Sequence, residues 1–155
     1  MFKPKIAEVD VTAALERLRD RKQIRFQESG GSIAINGKPT IAHTDPEALE
    51  TILENLVDNT LKYTTAAPRV EVSAERREGL VLVHVTDNGI GMSAGDAARI
   101  FDKFYRADAG QETHAKGTGL GLFISRRLAR ACGGDLKVHS AGSGQGCTFT
   151  LELTQ

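Results

Sequence analysis

Tryptophan is absent from this 155-residue chain, and tyrosine occurs only twice and phenylalanine six times. So few rings argue against a base-stacking platform for single-stranded nucleic acid. Net charge is missing too, because 20 Lys and Arg are matched by 20 Asp and Glu. A dedicated nucleic-acid binder needs surplus cations for phosphate contacts, so that class is set aside. Apolar runs such as Leu80 to Val83 stop far short of the ~20 residues of a membrane span, and no membrane contact is expected of this segment. Met1-Phe2-Lys3-Pro4 has no apolar stretch behind it, so no secretory signal is visible and a cytoplasmic location is expected. Cys132 and Cys147 make no C-x-x-C pair and are too few for a disulfide framework. Two reduced, half-buried thiols are the expectation.

What is present is the composition of a globular protein, 40% apolar and 26% charged. A chain of this length fits one domain, 1–155, that buries roughly 70% of its unfolded surface. Glycine is the unusual residue. Of 16, seven fall between Gly89 and Gly121 and four between Gly133 and Gly144. Clustered glycine marks backbone in the left-handed region or backbone closely approached by something else.

Val11, Leu15 and Leu18 recur at helical spacing between Asp10 and about Gln23. Ile24 to Gln27 and Ser32 to Ile35 alternate as strands do, and Asn36-Gly37 is a hairpin signal. Thr40 to His43 reads as a third short strand. Asp45-Pro46 opens a helix with a capping carboxylate and a proline at its first position. Leu49, Ile52, Leu53, Leu56, Val57 and Leu61 carry its buried stripe to about Thr64. Strands from Arg69 to Arg77 and Leu80 to Thr86 follow, joined at Glu78-Gly79. After a long glycine-bearing connection, Leu120 to Cys132 is helical and stops at Gly133-Gly134. Leu136 to His139 and Cys147 to Leu153 close the chain as strands. The order predicts an α/β two-layer sandwich: a mixed β-sheet with helices packed on one face.

Three features exceed what packing explains. Asn55, Asn59 and Lys62 fall within roughly 60° of one another on their helix. Amide oxygens there can complete a Mg²⁺ shell and the lysine can neutralise phosphate, although a solvated polar flank has the same pattern. Asp87-Asn88-Gly89-Ile90-Gly91 sits where a strand runs out, a place for a carboxylate to accept from a ligand's amino group; it is also an ordinary turn signal. Gly117-Thr118-Gly119-Leu120-Gly121-Leu122 runs into a helix whose free N–H groups suit phosphate. Neither the P-loop spacing nor the Rossmann context is present, which disfavours those nucleotide folds.

These features occur in a fixed order, with Phe101-Asp102-Lys103-Phe104-Tyr105-Arg106 between the last two. In that arrangement the chain resembles the catalytic, ATP-binding domain of bacterial sensor histidine kinases. These belong to the gyrase, chaperone, histidine-kinase and mismatch-repair ATPases of Bergerat fold. Glu54 to Tyr63 is similar to the N box of that family, Asp87 to Gly91 to its G1 box, Phe101 to Arg106 to its F box, and Gly117 to Leu122 to its G2 box. The resemblance runs from about Val9 to the end of the chain.

The resemblance implies ATP and Mg as cofactors. It makes Asn59 the protein's metal ligand, with Asn55 lining the same site and Lys62 and Tyr63 beside phosphate and ribose. Asp87 would accept from the adenine amine, with Thr148 assisting, and favour ATP over GTP. Gly89, Ile90 and Gly91 would begin a lid that Gly117, Thr118, Gly119, Leu120, Gly121 and Leu122 end. Lys62 and Arg106 are the candidate catalytic cations, with Arg106 reaching the γ-phosphate. Hydrolysing relatives carry glutamate where Asn55 stands here, so slow turnover is expected. Thr60 replaces the alanine common after the metal asparagine, and Lys116 a frequent glycine.

The implied activity is γ-phosphate donation to a histidine on a dimerisation and phosphoacceptor domain, with a response regulator downstream. None of His43, His84, His114 or His139 stands in an acceptor-like motif, so the acceptor is expected on a domain outside this chain. An anti-sigma-factor-type serine kinase and a non-catalytic ATP-sensing adaptor are the alternative readings. Asn55 disfavours the first.

Overall fold

The computed structural model describes residues 2–62, 64, 67–105, 120–142 and 144–155. β1 (Ala7–Asp10) leads into α1 (Val11–Glu28), followed by β2 (Ser32–Gly37) and β3 (Ile41–Thr44). α2 (Pro46–Lys62) precedes the hairpin of β4 (Arg69–Arg77) and β5 (Leu80–Asp87). α3 (Ala94–Arg99), α4 (Gly121–Ala131), β6 (Asp135–His139) and β7 (Cys147–Thr154) complete the described elements.

Five strands form one mixed sheet in the order β2-β4-β5-β7-β6, and β1 pairs with β3 in a separate two-stranded ribbon. Within the large sheet β2 and β4 are parallel and the other neighbours antiparallel. Strand alternation sends Val70, Val72, Val81, Val83, Val85, Phe149 and Leu151 to one buried face. Helices α1 and α2 lay Leu15, Leu18, Leu49, Ile52, Leu53 and Leu56 against it. The opposite face carries Thr86, His84, Thr148 and Thr150 instead. This is the expected two-layer α/β sandwich with helices on one side.

Asp45 fixes the entry to α2. Its Oδ1 accepts from the N–H groups of Glu47 (2.9 Å) and Ala48 (3.1 Å), and its Oδ2 from that of Lys5 (2.7 Å). These donors, that of Lys5 foremost, hold the buried Asp45 carboxyl below its ordinary range. Charged pairs then set the rotation of α2 against α1. Lys22 is only 9% exposed, and its Nζ lies 2.7 Å from Glu54 and 2.9 Å from Asp58.

Two expectations are corrected. Residues 24–27 are not a strand: α1 runs on to Glu28 because Leu18, Lys22 and Phe26 continue its buried stripe at four-residue spacing. Phe26 is fully buried there while Ile24 is 66% exposed, the reverse of what an isolated alternating strand suggests. Asn36-Gly37 does not turn a hairpin. Gly37 has φ +101°, yet β2 pairs with β4 and β3 with β1. The ribbon strand β1 and helix α3, capped by Ser93 Oγ accepting from the Asp96 N–H at 3.1 Å, had no counterpart in the sequence reading.

Candidate functional site

β5 ends at Asp87, and the chain there bends over the sheet rather than continuing along it. Asp87 Oδ1 accepts from the N–H groups of Gly89 (2.8 Å) and Cys147 (3.2 Å). Its Oδ2 has no hydrogen-bond partner among the described residues. Burial pushes the carboxyl above its ordinary range, and the two N–H donors only partly offset this. A desolvated carboxylate with one uncommitted oxygen is a strong acceptor for a ligand N–H.

Close backbone contacts hold the loop in place. Gly146 has φ +72°, and a Cβ there would stand 2.1 Å from the Asp87 carbonyl oxygen. Asn88 ties the loop to β4, accepting from the Arg69 N–H at 2.7 Å and donating to the Ala67 carbonyl at 3.0 Å. Ser140 Oγ accepts from the Met92 N–H at 3.1 Å and donates to the Gly146 carbonyl at 2.7 Å. Both glycine-bearing turns are thereby locked together beside Asp87.

The loop, α2 and β7 enclose a pocket of about 410 Å³, part of it open to solvent. Asn59, Thr60 and Thr64 line one wall, and Asp87, Gly89, Ile90, Gly91 and Met92 another. Ile100, Cys147 and Phe149 complete it. Phe101 meets Phe149 edge to face at 6.2 Å and backs that last wall. Thr60 Oγ1 and Thr64 Oγ1 are buried with no hydrogen-bond partner. An unpaired buried hydroxyl costs about 1–3 kcal/mol, so a polar group entering the pocket would find two partners on this wall.

The structure brings Asn59, Asp87, Gly89, Ile90 and Gly91 together around this pocket. Asn55 stands beside it. Its Nδ2 donates to Ser125 Oγ at 2.9 Å and reaches the Gly121 carbonyl at 3.3 Å, tying α2 to the first turns of α4. Leu120, Gly121 and Leu122 form the start of that helix, and Lys62 ends α2 with an exposed side chain. Thr148 requires a correction. It lies on the opposite face of the sheet, its hydroxyl 3.1 Å from that of Thr86, because Asp87 and Cys147 are register partners and the next residue points away. Tyr63, Arg106, Gly117, Thr118, Gly119 and His114 lie outside the described residues.

Sequence reasoning missed Cys147 and Phe149 as pocket walls, although strand parity from Asp87 contained the signal. Cys147 and Cys132 are both free thiols; Cys132 is half-buried, whereas Cys147 is buried in the pocket wall rather than half-buried as expected. Burial, helped by the Asp87 charge, pushes the Cys147 thiol up to about 12. His84 is occupied on the outer face, 3.0 Å from Thr150 Oγ1 and 3.3 Å from Glu75.

A profile described as histidine kinase-, DNA gyrase B- and HSP90-like ATPase matches residues 44–155. The chain belongs to that ATPase family. Within it, the chain is an ATP-binding domain of the sensor histidine kinase type. Sensor protein SrrB of Staphylococcus aureus is 29% identical over 141 residues, which cover 88% of this chain and 24% of SrrB. This chain thus spans about a quarter of the length of the curated relatives it matches. A crystal structure of full-length ShkA in complex with AMPPNP superposes with a TM-score of 0.85 at 32% identity, covering 98% of this chain and 31% of ShkA. The mycobacterial sensor histidine kinase MprB shares the fold, with a TM-score of 0.81, 24% identity and 97% coverage of both chains. No described helix of this ATPase domain is long and apolar enough to cross a membrane.

The donor set suits an ATP-borne metal better than a resident one. No cluster of three or more His, Cys, Asp or Glu able to hold a metal occurs among the described residues. A single amide, Asn59, leaves most of an octahedral shell to ligand oxygens and water, as Mg²⁺ accepts readily.

Proposed function

We propose that this domain, as a single unit over 1–155, binds Mg-ATP and passes its γ-phosphoryl group to a histidine on a dimerisation and phosphoacceptor domain. A response regulator then receives the group. The observation that carries this reading is Asp87, a half-buried carboxylate whose Oδ2 has no partner among the described residues, in an otherwise largely apolar pocket. It accepts the adenine amine, while guanine would present a carbonyl there and leave two acceptors facing each other. Bound Mg-ATP supplies the transferable phosphoryl group together with a cation that offsets its charge.

The chain's own residues hold and orient the nucleotide. Asn59 offers its amide oxygen to the metal. Lys62 and Arg106 place positive charge by the phosphates, and Gly117, Thr118, Gly119 and Gly121 give main-chain N–H groups to them. Neither Asn55 nor Glu54 is a free general base. Asn55 has no basic lone pair of useful pKa and is engaged by Ser125, and Glu54 is held by Lys22 and by Arg21 at 3.1 Å. Poor hydrolysis suits a kinase that waits for its acceptor.

The test mixes the chain with a separate histidine-bearing dimerisation domain and ATP labelled at the γ position. Acid-labile label on the partner is the expected result. Acid-stable label would point to a serine acceptor, and no label to a non-catalytic ATP sensor; either would overturn the reading.

A further inference from the structure

Thr60 is 1% exposed and lines the pocket, and its hydroxyl has no hydrogen-bond partner. A threonine inside a helix commonly turns its hydroxyl back to the carbonyl four residues earlier. Here that carbonyl belongs to Leu56, and the bond is not made. Thr64, just past the end of α2, places a second buried and unpartnered hydroxyl on the same wall. Apart from Asp87 and the Asn59 amide, the remaining side chains around the cavity are apolar or a thiol. A polar ligand edge entering there therefore meets these two hydroxyls.

We propose that the Thr60 hydroxyl is a second reader of the bound base, working beside Asp87 and seconded by Thr64. It hydrogen-bonds the purine edge, directly or through one ordered water. This rests on the adenine-nucleotide reading of the pocket. A carboxylate can only accept, so Asp87 registers the exocyclic amine and nothing else, whereas a hydroxyl can also donate. Adenine carries an unprotonated ring nitrogen next to that amine, and Thr60 supplies the donor for it. Guanine puts a carbonyl in front of Asp87, which can only accept; the Thr60 hydroxyl, able to accept as well as donate, tolerates the ring N–H, so discrimination rests with Asp87 and Thr60 adds affinity for the adenine edge.

Thr60→Val keeps the volume and removes only the hydroxyl. The Kd for Mg-ATP, measured by calorimetry, is expected to rise about two- to tenfold. The Tm of the ligand-free chain is expected to rise by about 2–4 °C, because an unsatisfied buried hydroxyl is gone. A purely structural role would instead raise the Kd while lowering the Tm. Thr60→Ser retains the hydroxyl and is expected to keep the affinity within about twofold of the wild type. Adenosine, followed by ligand-observed NMR, should show the same fold loss in Thr60→Val as ATP does.

Wild-type affinity in Thr60→Val overturns the proposal. So does a loss seen with ATP and absent with adenosine, which would put the hydroxyl at the phosphate end. The wild-type titration separates the two levels of the reading: if the unmodified chain binds no ATP, the nucleotide assignment itself fails.

Discussion

Asp87 and Cys147 are register partners across β5 and β7, and the Cys147 N–H donates to Asp87 Oδ1 rather than continuing an ordinary ladder. A side chain thus takes a main-chain donor at the end of the strand pair, and the Gly89 N–H joins it. One oxygen is spent on holding the loop, and the other remains for a ligand. The same carboxylate organises the site and serves it.

That double duty has a cost that pH can expose. Burial raises the Asp87 carboxyl in the folded chain above its ordinary 3.8, so its ionised form opposes folding at neutral pH. The penalty is fully present above the raised folded value and disappears as pH falls towards 3.8. Asp87→Asn, which keeps an oxygen for the Gly89 and Cys147 N–H groups, is expected to raise the Tm of the ligand-free chain at pH 7. Its advantage should shrink on acidification. Calorimetric scans from neutral to acid pH check this, and an advantage that grows towards acid would refute it.

Cys147 is expected to be inert. A thiol pushed up to about 12 carries almost no thiolate at pH 8, and it is buried besides. Iodoacetamide on the folded chain should therefore spare Cys147, leaving the more exposed Cys132 as the first cysteine modified. Peptide mass spectrometry reads the order. Unfolding in denaturant should equalise the two.

Lys22 joins α1 to α2 through two carboxylates. Replacing it by methionine removes the cation that Glu54 and Asp58 share and leaves them only the more exposed Arg21 (3.1 Å) and Arg25 (3.6 Å), a loss of about 1–3 kcal/mol for partners that are partly solvated. Glu54 is held below its ordinary 4.5 by Lys22 and Arg21 against the opposing effect of burial. Its share of stability is present above 4.5 and lost as pH falls through the lowered folded value. Urea denaturation should show Lys22→Met less stable at pH 7, with the gap to wild type closing in acid.

Much of this architecture could be read from the residues because local signals agreed with one another. The capping Asp45-Pro46, the stripe from Leu49 to Val57 and the Glu78-Gly79 turn each predict the element that forms. The misreadings arose where a short pattern suited two structures. Ile24 to Gln27 alternates over four residues, and only the longer stripe through Phe26 shows that the helix continues. Asn36-Gly37 has turn chemistry, but which strands pair is decided by parallel contacts to β4, which no local pattern encodes. At the site, the polar landmarks Asn59 and Asp87 were legible, whereas the wall residues Met92, Ile100 and Phe149 look like any other core residues until the fold assembles them.

ATP turnover by the chain alone is expected to be slow and indifferent to Glu54. A working general base contributes about 10²–10⁴-fold, so Glu54→Gln would cut the rate at least about a hundredfold if Glu54 activated water. Because Lys22 and Arg21 occupy that carboxylate, the variant's rate should stay within about twofold of the wild type. Phosphate release under saturating Mg-ATP measures it.

The most direct test of the whole account is a pair of calorimetric titrations, Mg-ATP against Mg-GTP, on the wild-type chain and on Asp87→Asn. The account predicts that the wild type takes ATP and discriminates against GTP. It also predicts that Asp87→Asn loses about ten- to a hundredfold in ATP affinity, the worth of a hydrogen bond to a charged acceptor. Equal affinity for the two nucleotides, or ATP binding untouched by Asp87→Asn, would contradict it.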